Sequence, residues 1–172
     1  MRVGRTFQIT PGESVRVLRE EPAVLELEVT WAPGGEEPPK HFHPVQDESF
    51  EVLEGDLVAR VGGEERELHT GDSLEIPRGV VHQMWNPAGA PARATWKTTP
   101  AGRTGEWFEA IDALRASGRI GKNGMPGPLA FGVYLTEYAD VFRLAGPQPL
   151  LRPALRVLGV LGRLKGYRRP GR

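Results

Sequence analysis

Cysteine is absent from this 172-residue chain, and its absence excludes several kinds of chemistry. Without thiols the chain forms no disulfide, binds no metal through sulfur and has no cysteine nucleophile. Long apolar runs are missing too: no stretch of about 18 apolar residues occurs, and the first residues lack the apolar segment of a secretory signal. We therefore expect a cytoplasmic protein that does not span a membrane.

Net charge is zero as well, but the two signs are unevenly distributed along the chain. Residues 1–145 contain 15 basic and all 22 acidic residues, whereas residues 146–172 contain seven basic residues and no acidic one. The chain is thus an acidic body followed by a basic tail. The acidic body would repel phosphates and no helix-turn-helix pattern is visible, so we do not expect nucleic acid as a partner.

Histidine is scarce, with four in the chain, yet two of them lie close to a glutamate, as His41, His43 and Glu48. On a β-strand, residues two apart point to the same face, so His41 and His43 would present both imidazoles to one side. Imidazole suits zinc, copper, iron and nickel, and a carboxylate extends this range toward manganese. Three ligands do not usually close a metal site, and His82 is the candidate for the fourth.

Both histidine-containing stretches follow fixed spacings. The first runs from Gly35 to Gly55 in the order G, five residues, HxH, four residues, E, six residues, G. The second runs from Gly71 to Asn86 in the order G, five residues, PxG, two residues, H, three residues, N. Together they resemble the two signature motifs of the cupin superfamily, with every fixed position present. The resemblance implies a double-stranded β-helix, a jelly-roll barrel with its metal inside, and a homodimer.

Short alternating segments also predict a mainly β fold before residue 100. Residues 23–31 alternate between apolar and polar side chains and end in Trp31, which is typical of a half-buried strand. Further short strands follow, separated by glycine and proline turns, and this pattern favours a sandwich or small barrel. We therefore predict a barrel domain over residues 1–100.

After Pro100 the pattern becomes helical, and we predict a C-terminal α-helical extension over residues 101–172. Its three predicted helices cover residues 104–117, 129–144 and 149–165, with a glycine-rich link at 118–128. The third helix has leucines at 151, 155, 158 and 161 and arginines on a narrow opposite stripe. Weak contact of residues 149–172 with a membrane surface is one interpretation. Packing of this helix on the barrel or on a second subunit is the simpler one.

The resemblance implies that one divalent transition metal (iron, manganese, nickel or zinc) is bound by His41, His43, Glu48 and His82. Four protein ligands would leave open positions on an octahedral ion, as a catalytic site requires. No other charged residue stands out as a general base, so the candidates are Glu48, released from the metal, and a metal-bound hydroxide.

Strand parity places further side chains on the inner wall beside this site. Trp31 ends the inward row of its strand, and the other candidates share a face with a ligand or lie in register with inward residues. The candidate substrate-binding residues are Gln46, Phe50, Met84, Trp96 and Trp31. Such a wall favours a small apolar or aromatic molecule, with Gln46 as a polar group.

Three functions stay open at this point. The first is a metal-dependent, dioxygenase-like enzyme that acts on a small, largely apolar or aromatic organic molecule. The second is a redox-neutral isomerase, lyase or cyclase in which the metal holds an enolate. The third is a protein that binds or senses a small ligand without catalysis. A fold of this kind does not decide among them.

Overall fold

The computed structural model of the chain describes residues 2–118, 120 and 126–167. These residues form eleven strands: β1 Thr6–Thr10, β2 Glu13–Glu21, β3 Val24–Trp31, β4 His41–Phe42, β5 Asp47–Glu54, β6 Leu57–Val61, β7 Glu64–Leu68, β8 Ser73–Ile76, β9 His82–Trp85, β10 Ala92–Thr99 and β11 Arg143–Leu144. They also form three helices: α1 Thr104–Ala116, α2 Pro128–Glu137 and α3 Gln148–Leu164. The predicted β barrel with a C-terminal helical extension is confirmed.

The strands make two antiparallel sheets that face each other across one core. One sheet has the order β1-β2-β3-β10-β5-β8 and the other has the order β11-β4-β9-β6-β7. The alternation predicted for the strand ending at Trp31 is present, since every second side chain of β3 from Leu25 onward is buried. Polar side chains of β3 point outward between them, so one face of this sheet packs on the core.

The second predicted helix is shorter than its pattern suggested. Helical spacing predicts a helix over residues 129–144, but α2 ends at Glu137. The chain then turns, buries Val141 and pairs β11 with β4, placing Leu144 opposite His41. The helical spacing of Val141 therefore reflects its burial beside the histidines and not a continuing helix.

Helices α2 and α3 pack with their backbones in close approach. A Cβ atom added at Gly162 would lie 2.5 Å from the carbonyl oxygen of Leu129, and one added at Gly132 would lie 2.5 Å from Cβ of Leu158. Only glycine permits such an approach, so these positions set which side of α3 faces inward.

The inward side of α3 differs from the predicted one. Leu151, Leu155 and Leu158 are half-buried, as expected, but Leu161 points outward and is 46% exposed. Within the part of the chain that the structure describes, none of the helices has the length and apolar character needed to cross a bilayer. Arg168, Arg169 and Arg172 of the basic tail lie outside the described residues, as does most of the predicted link 118–128.

Candidate metal centre

Three of the four histidines meet inside the barrel. His41 on β4 lies directly opposite His82 on β9, because these residues are cross-strand partners, and His43 follows β4. One ring nitrogen from each of the three lies within 4.8 Å of the others. The fourth histidine, His69, lies elsewhere on the surface and pairs with Asp56 at 2.9 Å.

Backbone carbonyl oxygens orient all three imidazoles. The Nδ1 atoms lie 2.9 Å from the oxygen of Pro39 for His41, 2.6 Å from that of Val141 for His43, and 3.0 Å from that of Val80 for His82. A carbonyl oxygen only accepts, so each Nδ1 must carry the proton and donate it. The Nε2 lone pairs are thereby left for another partner, which is how metal-binding histidines are commonly held.

Glu48 on β5 is buried beside two of these imidazoles. Its Oε1 lies 3.2 Å from Nε2 of His43, and its Oε2 lies 3.0 Å from Nε2 of His82. Oε1 also accepts a hydrogen bond of 3.0 Å from the indole nitrogen of Trp96. Oε2 is buried and accepts no hydrogen bond of good geometry from the described residues. An incompletely satisfied carboxylate oxygen beside imidazole nitrogens fits a bound cation.

The protonation states of three of the four side chains also suit a cation. Burial and the neighbouring imidazoles of His82 and His43 together lower the pKa of His41 to about 3. Burial likewise lowers the pKa of His43. Burial by itself would raise the pKa of Glu48, but the imidazoles of His43 and His82 outweigh it and hold that pKa below its usual value. Burial would lower the pKa of His82, but the carboxylate of Glu48, 3.0 Å from its Nε2, outweighs burial and raises it.

The donor set is therefore neutral imidazole at His41 and His43, an ionised carboxylate at Glu48, and the imidazole of His82. Such a set could hold a divalent transition metal, including iron, manganese, nickel and zinc. The structure brings together all four side chains that were predicted as ligands. Glu48 faces His43 and His82, while the three histidines face one another.

A cavity of about 180 Å³ lies against this centre. Four of the five predicted wall residues line it, namely Trp31, Phe50, Met84 and Trp96. The rings of Phe50 and Trp96 stack with 5.5 Å between their centroids. The predicted apolar and aromatic wall is therefore present.

The helical extension also contributes to the lining of the cavity. Trp107 and Phe108 of α1 line it, as does Phe142, which lies just before β11. The Phe142 ring stacks on the His41 ring at 4.6 Å and on the Trp107 ring at 5.5 Å. Neither contact was predicted, because nothing in the helical pattern indicates that this segment returns to the barrel.

The structure places Gln46 away from the cavity wall, contrary to the prediction. Its side-chain nitrogen donates to Thr98 and Thr104 hydroxyls at 2.9 and 2.6 Å and to the carbonyl oxygens of Pro100 and Ala101 at 3.0 and 2.9 Å. Strand β5 begins at Asp47, so the alternation used to place Gln46 does not extend to it. Gln46 instead ties the barrel to the start of the extension.

Glu13, which the sequence reasoning missed, supplies an acidic side chain to the cavity. It lies at the start of β2, opposite Trp31 of β3. Among the described residues its carboxylate has no hydrogen-bond or ion-pair partner, and burial raises its pKa to about 7. No motif marks this position, because only the pairing of β2 with β3 brings it to the cavity.

Comparison with known proteins agrees with the geometry. A family model described as a cupin domain matches residues 27–97. The solved structure of KdgF from Halomonas sp. superposes with a TM-score of 0.53 at 19% identity, covering 58% of this chain and 91% of that one. An RmlC-like cupin from Shewanella frigidimarina gives a TM-score of 0.53 at 22% identity, covering 59% and 87%. At these identities the structures show the fold alone.

Curated relatives match over about a third of the chain. The tetracenomycin polyketide synthase protein TcmJ of Streptomyces glaucescens is 38% identical over 66 residues, which cover 38% of this chain and 44% of that protein. An oxidoreductase of Arthrobotrys oligospora is 38% identical over 56 residues, covering 32% and 22%. The matched segments thus span less than half of either relative. Both signature motifs, the barrel and the matching family model lead to one conclusion: residues 27–97 of the chain form a cupin domain.

Proposed function

We propose that the protein is a metal-dependent enzyme that moves a proton on a small aromatic carbonyl compound without net oxidation, as an isomerase, lyase or cyclase does. The observation that carries this proposal is Glu13, a carboxyl group on the wall of the cavity that holds the histidines. A general base works best when its pKa is near the working pH, and burial raises the pKa of Glu13 to about 7.

In this reaction the metal ligands and Glu13 would have separate roles. A divalent metal held by His41, His43, Glu48 and His82 would polarise a carbonyl oxygen. Glu13 in its ionised form takes a proton from the carbon next to that carbonyl. It then returns the proton to another atom of the substrate, so its charge is restored and no oxidant is used. In this proposal Glu13 takes the role of base that was predicted for Glu48.

The cavity limits the size and polarity of the substrate. Its volume is about 180 Å³, whereas pockets for drug-sized ligands measure about 300–1,000 Å³. A cavity of about 150 Å³ accommodates benzene. A molecule with one ring and a short carbonyl side chain therefore fits between Trp96, Phe50 and Phe142. Among the relatives, the polyketide synthase protein supports this substrate class, since polyketide chains carry carbonyl groups with acidic neighbouring carbons.

Proton transfer can be measured without knowing the natural substrate. The probe is phenylacetone in D₂O, with deuterium uptake next to the carbonyl followed by NMR. We expect the metal-loaded protein to accelerate uptake and Glu13→Gln to lose about 10²–10⁴-fold of that acceleration. Glu13→Asp should recover part of it, and Glu51→Gln, an exposed glutamate on β5, is the matched control. Equal exchange rates in wild type and Glu13→Gln would refute the role of Glu13.

The dioxygenase-like reaction, which the resemblance put first, becomes the second candidate. The oxidoreductase among the relatives favours it, and the aromatic cavity would serve it equally well. Metal analysis and an oxygen electrode separate the two candidates. Iron together with substrate-dependent oxygen uptake would support the dioxygenase, and zinc or nickel without oxygen uptake would count against it. A tightly bound ligand with no turnover would instead indicate a sensing protein.

A further inference from the structure

We propose that helix α3 docks the protein on an anionic lipid surface. Five of the nine large hydrophobic side chains that are exposed in the described residues lie on this one helix. They are Leu150, Val157, Val160, Leu161 and Leu164, with exposures of 71%, 60%, 54%, 46% and 79%. Four of them follow one another at intervals of seven, four and three residues, which places them on one face of an α-helix. The face is thus a continuous apolar strip that no described part of the chain covers.

The strip cannot turn inward to join the core. Gly159 and Gly162 occupy the inner side of α3, where Cβ atoms would lie 3.1 Å and 2.5 Å from backbone oxygens of α2. Rotating α3 about its axis would bring leucine side chains into space that admits only glycine. The α2–α3 contact therefore keeps the apolar strip on the outside.

Basic side chains flank the apolar strip. Arg152, Arg156 and Arg163 lie on α3 between its inner side and the strip, and α3 has no acidic residue. Arg163 approaches Glu137 at 3.7 Å, whereas among the described residues Arg152 and Arg156 have no ion-pair partner. A groove of about 120 Å³ beside α3 is lined by Arg143, Arg152 and Arg156 together with leucines. Unpaired arginines on the helix that carries the apolar strip fit the phosphate groups of anionic lipids, and the strip fits their acyl chains.

Charge and shape favour lipid over a second copy of this chain. Pairing two α3 helices would bring arginines near arginines, with no acidic residue on either helix to offset them. The other exposed hydrophobics of the described chain, Val3, Leu18, Val45 and Leu53, belong to separate segments of the barrel. They offer no apolar strip that could cover α3 of a neighbouring copy. A lipid surface needs no matching protein strip.

The test is co-sedimentation of the full chain with vesicles of phosphatidylcholine alone or of phosphatidylcholine and phosphatidylglycerol at a ratio of about 7:3. We expect binding to the anionic vesicles only, and weaker binding as salt is raised. Each arginine near such a surface contributes about fivefold in affinity. Arg152→Gln with Arg156→Gln should therefore weaken binding by about 25-fold. Val157→Glu with Leu161→Glu should abolish it.

Leu53→Glu, an exposed apolar position on β5, is the matched control and should bind like the wild type. Thermal unfolding of each variant confirms that it is folded, and light scattering gives its mass in solution. No binding to anionic vesicles would overturn the proposal, as would binding that survives both helix variants. A different result would show that a second copy of the chain covers the strip. In that case the wild type is a dimer that does not bind vesicles, and the variant Val157→Glu with Leu161→Glu is a monomer. None of these outcomes tests the cavity, so the proposed enzyme activity is tested independently of vesicle binding.

Discussion

The indole Nε1 of Trp96 donates a hydrogen bond of 3.0 Å to Oε1 of Glu48 inside the barrel. Trp96 on β10 therefore does two things, since its ring forms part of the cavity wall and its N–H orients the only carboxylate among the candidate ligands. Hydrogen bonds of this kind fix the geometry of a metal ligand from outside the metal's own coordination shell. The cavity wall and the candidate metal centre are thus linked through one side chain.

Trp96→Phe keeps a large aromatic side chain and removes the N–H donor. We expect its metal affinity to fall by about 10–100-fold, the usual effect of losing a group that orients a ligand. Competition with a chelator of known affinity measures this change. Trp85→Phe is the control, because Trp85 lies outside the cavity and packs against Arg60. Equal metal affinities in wild type and Trp96→Phe would show that the indole N–H does not affect metal binding by Glu48.

His82→Ala removes one of the three imidazoles that meet in the barrel. We expect purified protein to lose most of its metal, because the loss of a ligand should cost more than the loss of a group that only orients one. His41→Ala should behave in the same way. Metal content per chain by mass spectrometry measures the effect, with exposed His69→Ala as control. A full complement of metal in both His82→Ala and His41→Ala would refute the assignment of the site.

Glu13→Gln should change how stability depends on pH. Burial raises the pKa of Glu13 from its usual value of 4.5 to about 7. A carboxyl whose pKa is raised on folding stabilises the fold fully below about pH 4.5, and this stability is lost as the pH rises to about 7. Glutamine does not ionise, so the variant should keep stability that the wild type loses over that interval.

Relative to the wild type, the free energy of unfolding of Glu13→Gln should therefore increase by about 1–3 kcal/mol between pH 4.5 and pH 8. Urea unfolding in the presence of a chelator at several pH values measures it. Glu51→Gln, at an exposed position, should show a nearly constant difference. A constant difference for Glu13→Gln as well would show that its carboxyl is solvated and not in an apolar cavity.

Gly162→Ala should destabilise the helical extension. The added Cβ would lie 2.5 Å from the oxygen of Leu129 and 2.6 Å from Cγ2 of Val133, so the two helices must separate. Such crowding costs about 1–3 kcal/mol, and alanine's better helix propensity offsets only part of it. Thermal unfolding measures the loss. Gly89→Ala is the control, because nothing lies within 4 Å of a Cβ added there.

Sequence reasoning was most successful where a local pattern carries the information. The period-two alternation up to Trp31 predicted β3, and the spacing of His41 and His43 predicted that they share a face. The resemblance of the two motifs to those of cupins predicted that His82 joins them. Parity also placed Phe50 and Met84 on the cavity wall. It failed at Gln46, because alternation holds only within a strand and β5 begins one residue later.

The remaining features depend on contacts that no local pattern records. Glu13 reaches the cavity because β2 pairs with β3, and Phe142 reaches His41 because the chain turns back after α2. The rotation of α3 is set by Gly159 and Gly162, whereas the leucine spacing predicted Leu161 on the inner face. Small residues carry little hydrophobic signal, so a pattern based on apolar side chains misses the contact that they permit.

Strand β11 has a consequence for how the chain can be divided. It hydrogen-bonds to β4, so the strand that begins with His41 gains an outer neighbour from residues 143–144. Cutting the chain at the predicted boundary near residue 100 would leave β4 as an unpaired edge, and such an edge is open to pairing with other molecules. We therefore expect the barrel, expressed without its extension, to expose an aggregation-prone strand edge beside the candidate metal centre.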